Sequence, residues 1–72
     1  MNLSLQEDSD YVKVFVDELL HIHFLRKYYR GMQAYHENVY TVDILLKDQT
    51  IKLEYDKREH WEAILRVLNT AL

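Results

Sequence analysis

The sequence predicts a small two-layer α+β domain with the order α-β-β-β-α and a three-stranded antiparallel sheet. Three patterns lead to this expectation: alternating apolar residues over 39–55, a helical apolar stripe over 57–71, and a change of period near residue 20. With 72 residues, the chain has room for one domain, residues 1–72. Its 49% hydrophobic and 29% charged residues are typical of a globular chain.

Residues 39–55 predict a β-hairpin closed by a two-residue turn at Asp48-Gln49. The register places apolar residues on one face and mostly polar residues on the other, as in a half-buried antiparallel pair. The expected pairs are Leu46 with Ile51, Ile44 with Leu53 and Val42 with Tyr55 on the apolar face, and Asp43 with Glu54 on the polar face. Because the turn lacks glycine, a loop longer by a residue or two is an alternative.

Residues 57–71 predict a helix that packs on the apolar face of the hairpin. Asp56 is expected to cap it, and Glu59 completes a capping box. Glu62 and Arg66 form an i,i+4 pair in the favourable order. The apolar stripe consists of Trp61, Ile64, Leu65, Leu68 and Leu72.

Residues 8–30 carry two periodicities. Val12, Phe15, Val16 and Leu19 recur at helical spacing after a possible cap at Asp8 or Ser9, which predicts a helix at 9–19. The segment from Leu20 to Phe24 alternates, which predicts a strand at 20–29, with Gly31 to Asn38 as the connection to the hairpin. The alternative is one helix over 9–30, giving a long N-terminal helix, a hairpin and a C-terminal helix.

These elements define an expected core. A chain of this length buries only about 60% of the surface that its unfolded form exposes, so association with a partner would add useful stability. The expected core residues are Val12, Phe15, Val16, Leu19, Ile22, Phe24, Val42, Ile44, Leu46, Ile51, Leu53, Tyr55, Trp61, Ile64, Leu65 and Leu68.

Two families share parts of the pattern, and neither is adopted. The predicted element order resembles that of double-stranded-RNA-binding domains, but Asp56-Lys57-Arg58-Glu59-His60 lacks their basic glycine- and lysine-containing segment. The hairpin followed by Glu59-His60-Trp61-Glu62-Ala63-Ile64 resembles the end of a pleckstrin-homology fold, where the closing helix carries a tryptophan. That second resemblance covers less than half of the chain.

Composition narrows the function classes. The absence of cysteine rules out disulfides and thiolate zinc sites, and one glycine with no proline rules out glycine-rich phosphate loops. No serine or threonine stands in a recognisable motif with histidine, so we expect no enzyme, no cofactor and no small-molecule substrate. Without a basic signal-like N-terminus or a membrane-length apolar run, the protein is expected to be cytoplasmic and not membrane-bound.

Four side chains form a candidate metal site. His21 and His23 point from one face of the predicted strand, and Asp43 and Glu54 form a like-charged cross-strand pair. Imidazole and carboxylate groups can ligate zinc. The alternative, which we favour, is ordinary surface pairing of these groups with lysine or histidine, so no metal is expected.

The aromatic surplus predicts a binding surface. The chain has six tyrosines, more than one helix–sheet interface can bury, and tyrosine is enriched at protein interfaces. We therefore expect a small protein-binding module that acts as a homodimer, an adaptor or an inhibitor of a larger protein. The predicted protein-binding residues are Arg26, Tyr28, Tyr29, Tyr35, Tyr40 and Leu45.

Nucleic-acid binding is the alternative function. Arg26, Lys27 and Arg30 alternate with tyrosines, a combination that can contact phosphates and stack on bases. A net charge of −3 argues against it, because nucleic-acid-binding surfaces are usually basic.

Overall fold

The computed structural model describes residues 1–72 as six β-strands followed by one α-helix. The strands form two antiparallel sheets, β1-β2-β3 and β4-β5-β6, in which each strand pairs with its neighbour in the chain. The elements are β1 (Leu3–Glu7), β2 (Tyr11–Val16), β3 (Leu19–Leu25), β4 (Tyr29–Tyr35), β5 (Tyr40–Leu46), β6 (Thr50–Tyr55) and α1 (Arg58–Ala71), with a 3₁₀ turn, Arg26–Tyr28, between β3 and β4.

An aspartate side chain organises the turn between β1 and β2. The Asp8 Oδ1 atom accepts hydrogen bonds from the backbone N–H groups of Tyr11, at 2.7 Å, and Asp10, at 2.8 Å. These bonds favour the ionised carboxylate and lower the pKa of Asp8 below its usual value of 3.8. The local side-chain bonds replace the glycine that many tight turns need.

The turn between β2 and β3 has an unusual backbone. It consists of Asp17 and Glu18, whose φ angles are 50° and 71°. Positive φ at both central residues is the geometry of a type I′ hairpin turn, which normally contains asparagine and glycine. Two bonds to Asn2 hold it: the Asp17 N–H donates to the Asn2 carbonyl at 2.8 Å, and Asp17 Oδ1 accepts from the Asn2 N–H at 2.9 Å.

The core lies between the two sheets and the helix. Helix α1 packs across β1, β5 and β6, and its Trp61 Nε1 donates to the Thr41 carbonyl at 3.0 Å. At 14 residues, α1 is too short to span a bilayer. The buried residues are Val12, Val14, Ile22, Phe24, Val42, Ile44, Leu46, Trp61, Ile64, Leu68 and Ala71.

The expected N-terminal helix is wrong. Residues 11–16 form β2, in which Val12 and Val14 are both 0% exposed and Lys13 lies between them. Three valines in six residues favour a strand, because β-branched side chains fit a pleated surface better than a helix. Asp8, expected as a possible helix cap, instead closes a hairpin, since both roles use a carboxylate to accept backbone N–H bonds.

The order α-β-β-β-α and the alternative long helix over 9–30 are therefore both wrong. The strand expected at 20–29 is β3, which ends at Leu25, and a 3₁₀ turn follows it. Residues Gly31 to Asn38, expected as a connection, contain most of the edge strand β4. One sheet of three strands becomes two, because the N-terminal third also folds as strands.

The C-terminal elements are those expected, with three local corrections. In the hairpin, Ile44 lies opposite Ile51 and Val42 opposite Leu53, a shift of two residues that leaves the same side chains on the inner face. The loop is correspondingly longer. Helix α1 begins after Lys57 without a side-chain cap, so the capping box expected at Asp56 is wrong.

The helix differs from expectation in two further ways, in its ion pair and in its apolar stripe. Its ion pair joins Arg58 to Glu62, at 2.7 Å, where Glu62 with Arg66 was expected. Ala71 is buried in place of Leu72, which is 41% exposed.

Outside the helix, Leu19 was expected in the core but is 74% exposed.

Candidate interaction surface

Three of the predicted binding tyrosines belong to the fold. Tyr28, Tyr29 and Tyr40 are half-buried and pack against the core. The ring of Tyr29 stacks on that of Phe24 with centroids 6.2 Å apart, and the ring of Tyr40 lies 5.7 Å from that of Trp61. These tyrosines therefore do not form an open, tyrosine-rich sheet face.

Tyr35 and Leu45 share the outer face of the second sheet. Tyr35 lies opposite Thr41 and is 49% exposed, and its hydroxyl donates to Gln33 Oε1 at 3.0 Å. Leu45 is half-buried. Their neighbours on this face are polar: Gln33, Thr41, Asp43, Thr50, Lys52 and Glu54. The face is mainly hydrophilic and has one exposed aromatic ring at its end.

Arg26 joins three parts of the fold. Its Nη2 atom contacts Glu7 Oε2 of β1 at 2.7 Å, and its Nη1 atom donates to the Ala71 carbonyl at 2.6 Å. A cation at a helix C-terminus complements the helix dipole and a free carbonyl. Arg26 therefore has structural contacts that explain its presence without a partner.

The other two cations of the nucleic-acid alternative, Arg30 and Lys27, have different contacts within the fold. Arg30 is the extra residue of a bulge in β4, and its Nη1 atom donates to the carbonyls of Lys27, at 3.0 Å, and Tyr29, at 3.2 Å. Lys27 and Lys47 lie on the ring of Tyr28, with Nζ atoms 5.8 and 5.5 Å from its centroid. Two of the three expected phosphate-binding groups are thus already hydrogen-bonded inside the molecule.

The four candidate metal ligands do not come together. No group of three or more His, Asp or Glu side chains is placed to hold a metal ion. Asp43 lies opposite Lys52, so the like-charged pair with Glu54 that would have favoured a cation is absent. His23 stacks on Tyr11, with centroids 5.0 Å apart and ring planes at 11°.

The most exposed apolar residues lie at the β2–β3 turn. Leu19 is 74% exposed and Leu20 is 54% exposed, and they are adjacent in the chain. Leu20 pairs with the half-buried Phe15 on the outer face of the first sheet. Single exposed apolar residues are ordinary, but Leu20 beside Phe15 makes a local apolar patch, and Leu19 extends from the other face of the same strand end.

A bulge turns the next residue toward the second sheet. The pairing shifts between Val14 and Phe15, which leaves His21 as the extra residue of β3. The His21 Nε2 atom lies 2.7 Å from the Tyr55 hydroxyl of β6. Burial disfavours the phenolate and raises the pKa of Tyr55 to about 12. This hydrogen bond links the β2–β3 turn to the end of β6.

The His21–Tyr55 hydrogen bond brings the β2–β3 turn close to a surface depression of the second sheet. Tyr55 and Val39, which is 52% exposed, line this depression. We call the exposed residues on the two sides of this hydrogen bond, together with its two partners, the tip surface and define it as Phe15, Leu19, Leu20, His21, Val39 and Tyr55. None of these residues was predicted as a binding residue. One signal was available in the sequence: Asp17-Glu18 separates two segments rich in β-branched and alternating apolar residues, as a two-residue turn does.

Comparison with known proteins adds no family to this description. No family model matches the chain, and neither the curated proteins nor the solved structures include a significant match.

Proposed function

We propose that this chain is a protein-binding module that docks through the tip surface. The observation that supports the proposal is the exposure of Leu19, at 74%, and Leu20, at 54%, at the first two positions of β3. Full burial of a leucine side chain contributes about 1.5–3 kcal/mol, so much of this gain is unrealised in the free chain. A partner that covers both residues would recover it.

Hydrogen bonds hold the residues around Leu19 and Leu20 in place before a partner binds. The turn contains no glycine, and two hydrogen bonds between Asp17 and Asn2 fasten it to the start of the chain. The His21–Tyr55 contact fastens the following residue. A surface that is ordered before binding loses less conformational entropy when the complex forms.

The proposed activity is binding without catalysis. The module would act as a homodimer, an adaptor or an inhibitor of a larger protein, since each of these roles requires only a complementary surface. The nucleic-acid alternative has less support, because Arg26 and Arg30 are engaged in hydrogen bonds within the fold. A mainly apolar surface also suits a protein better than a phosphate backbone.

Affinity capture with matched variants tests this proposal. The immobilised protein is exposed to extract of the cells that produce it, alongside Leu19→Ser, Leu20→Ser and the control Leu72→Ser. Leu72 is 41% exposed but lies outside the tip surface. Circular dichroism establishes that each variant is folded, and light scattering after size exclusion separates a homodimer from a foreign complex.

The proposal expects a stoichiometric partner that Leu19→Ser and Leu20→Ser lose and that Leu72→Ser retains. Equal capture by all three folded variants would contradict it. A clean monomer in light scattering removes only the homodimer, whereas loss of capture by the control would show that the effect is not specific to the tip surface.

A further inference from the structure

The outer edge of β4 is open over residues 31–35. β4 is an outer strand of the second sheet and pairs only with β5. At its start, the Arg30 guanidinium donates to the carbonyls of Lys27 and Tyr29. No hydrogen bond from a loop or a side chain reaches the backbone of residues 31–35. The N–H and C=O groups of this segment that face away from β5 therefore have no partner in the chain.

The same segment lacks the charged side chains that usually protect an edge strand. Natural proteins place charges on such strands because they oppose pairing with another sheet. β6, the other outer strand of this sheet, carries Lys52 and Glu54, and β1 carries Glu7. The edge of β3 is interrupted by a bulge. Residues 31–35 carry no charge, and the last three of them are exposed.

Gly31 is the only glycine of the chain, and the fold does not require it. Its φ angle is not positive, so neither a turn nor a glycine-dependent bulge explains it. A methyl group at this position would meet only Leu45 Cδ1, at 3.9 Å, which is an ordinary contact distance. Glycine weakens a strand and often marks a site where another backbone or a ligand approaches closely. At Gly31 the room it leaves is open to a group from outside the chain.

The segment is complementary to itself in antiparallel pairing. Residues directly opposite each other share a face, so a two-fold pairing must be centred on a residue, and Gln33 is the middle one of the five. Gln33 then lies opposite its own copy, and its amide can both donate and accept. Tyr35 lies opposite Gly31, where the missing side chain leaves room for the aromatic ring. Met32 lies opposite Ala34, again a large residue against a small one.

We propose that two copies of this chain pair through β4, antiparallel and centred on Gln33, to form one six-stranded sheet. The pairing satisfies the free backbone groups of both edges and covers Tyr35, which is 49% exposed in the single chain. This contact is separate from the tip surface, whose Tyr55 lies on β6 at the other edge of the same sheet. It therefore does not depend on the function proposed above.

Charge substitutions at Gln33 test both the contact and its register. Gln33→Lys and Gln33→Glu each place two like charges directly opposite one another, whereas a mixture of the two variants places opposite charges there. Gln49→Lys is the matched control, because it makes the same change at an exposed glutamine in the β5–β6 loop. Sedimentation equilibrium over a range of concentrations measures association, circular dichroism verifies folding, and amide hydrogen exchange locates the protected edge.

The unmodified protein should form a dimer, and amide protection within residues 31–35 should increase with concentration. Gln33→Lys and Gln33→Glu should each weaken the dimer by about ten-fold or more. Their equimolar mixture should restore it as a heterodimer. Gln49→Lys should match the unmodified protein.

Three results would overturn the proposal. The first is an unmodified protein that stays monomeric at every concentration. The second is a dimer that both Gln33 variants retain, or that their mixture fails to restore. The third is a dimer that Leu19→Ser and Leu20→Ser abolish while the Gln33 variants keep it, which would assign the dimer to the tip surface. Since the capture experiment above uses the leucine variants, either proposal can fail without the other.

Discussion

Replacement of Glu18 by glycine should stabilise the domain by relieving backbone strain. The φ angle of Glu18 is 71°, in the left-handed region, and its side chain makes no hydrogen bond in the fold. A non-glycine residue in this region costs about 1–2 kcal/mol. The greater conformational freedom of glycine in the unfolded chain offsets about 0.5–1 kcal/mol of the strain that is relieved. The expected net gain is about 0.5–1 kcal/mol, or roughly 2–8 °C in Tm for a domain of this size.

Differential scanning calorimetry measures this shift, and Glu18→Ala is the matched control. Alanine removes the same charge and side chain but keeps the strained backbone, so its Tm should remain close to that of the unmodified protein. The comparison isolates the backbone contribution. A Glu18→Gly protein that melts no higher than Glu18→Ala would refute the reasoning, because the positive φ would then carry no recoverable strain.

Three further outcomes are expected. Ile64→Ala should lower the free energy of unfolding by about 2–5 kcal/mol, measured by urea denaturation, because a fully buried side chain leaves a cavity; an effect below about 1 kcal/mol would contradict its core position. The lowered pKa of Asp8 stabilises the fold above the usual value of 3.8, and this stability is lost as pH falls through the lower folded value. Acid unfolding of Asp8→Asn should therefore depend less on pH in that window, and an unchanged profile would count against it. The pKa of Tyr55 is raised from 10.0 to about 12, so its stabilising effect is present below pH 10.0 and is lost as pH rises through about 12. Ultraviolet titration should show a late phenolate that Tyr55→Phe removes, and its persistence in that variant would reassign it.

The C-terminal half of the fold was predictable because each element there has one clear period. Alternation over 39–55 and the helical stripe over 57–71 each match a single structure, and both are present. The register moved by two residues, from Ile44–Leu53 to Ile44–Ile51. A two-residue shift keeps every side chain on its face, so the sequence pattern determines the face but not the partner.

The N-terminal half was not predictable in the same way because its turns lack the residues that usually mark turns in a sequence. Neither turn contains glycine or proline: one uses the Asp8 carboxylate and the other accepts positive φ at Asp17 and Glu18. Without visible turns, Val12, Phe15, Val16 and Leu19 match a helical stripe. The buried Val14 between them, which is 0% exposed, is the residue that distinguishes a strand from that helix.

The candidate site could not be predicted because the exposure of its residues depends on the tertiary packing of the strands and the helix. Tyr29 and Tyr40 are of a residue type that is common at interfaces, yet Phe24 and Trp61 cover their rings. Leu19 is of a residue type that is common in cores, yet no element covers it. Residue type predicts the tendency to be buried, whereas exposure depends on which elements pack together, and that depends on the strands that were missed.

The tip surface contains several departures from ordinary hairpin structure within five consecutive residues. Asp17 and Glu18 occupy a turn that asparagine and glycine would form with less strain, Leu19 and Leu20 stand where polar residues would be more soluble, and His21 interrupts the strand pairing. Asp17 and His21 make hydrogen bonds within the fold, but the positive φ of Glu18 and the exposure of the two leucines have no such compensation. The residues that follow, from Ile22, return to regular alternation between buried and exposed. Sequences that fold well depart from local rules mainly where function requires it. The clustering therefore favours a binding role for this turn over the half-buried tyrosine positions, whose contacts the fold already explains.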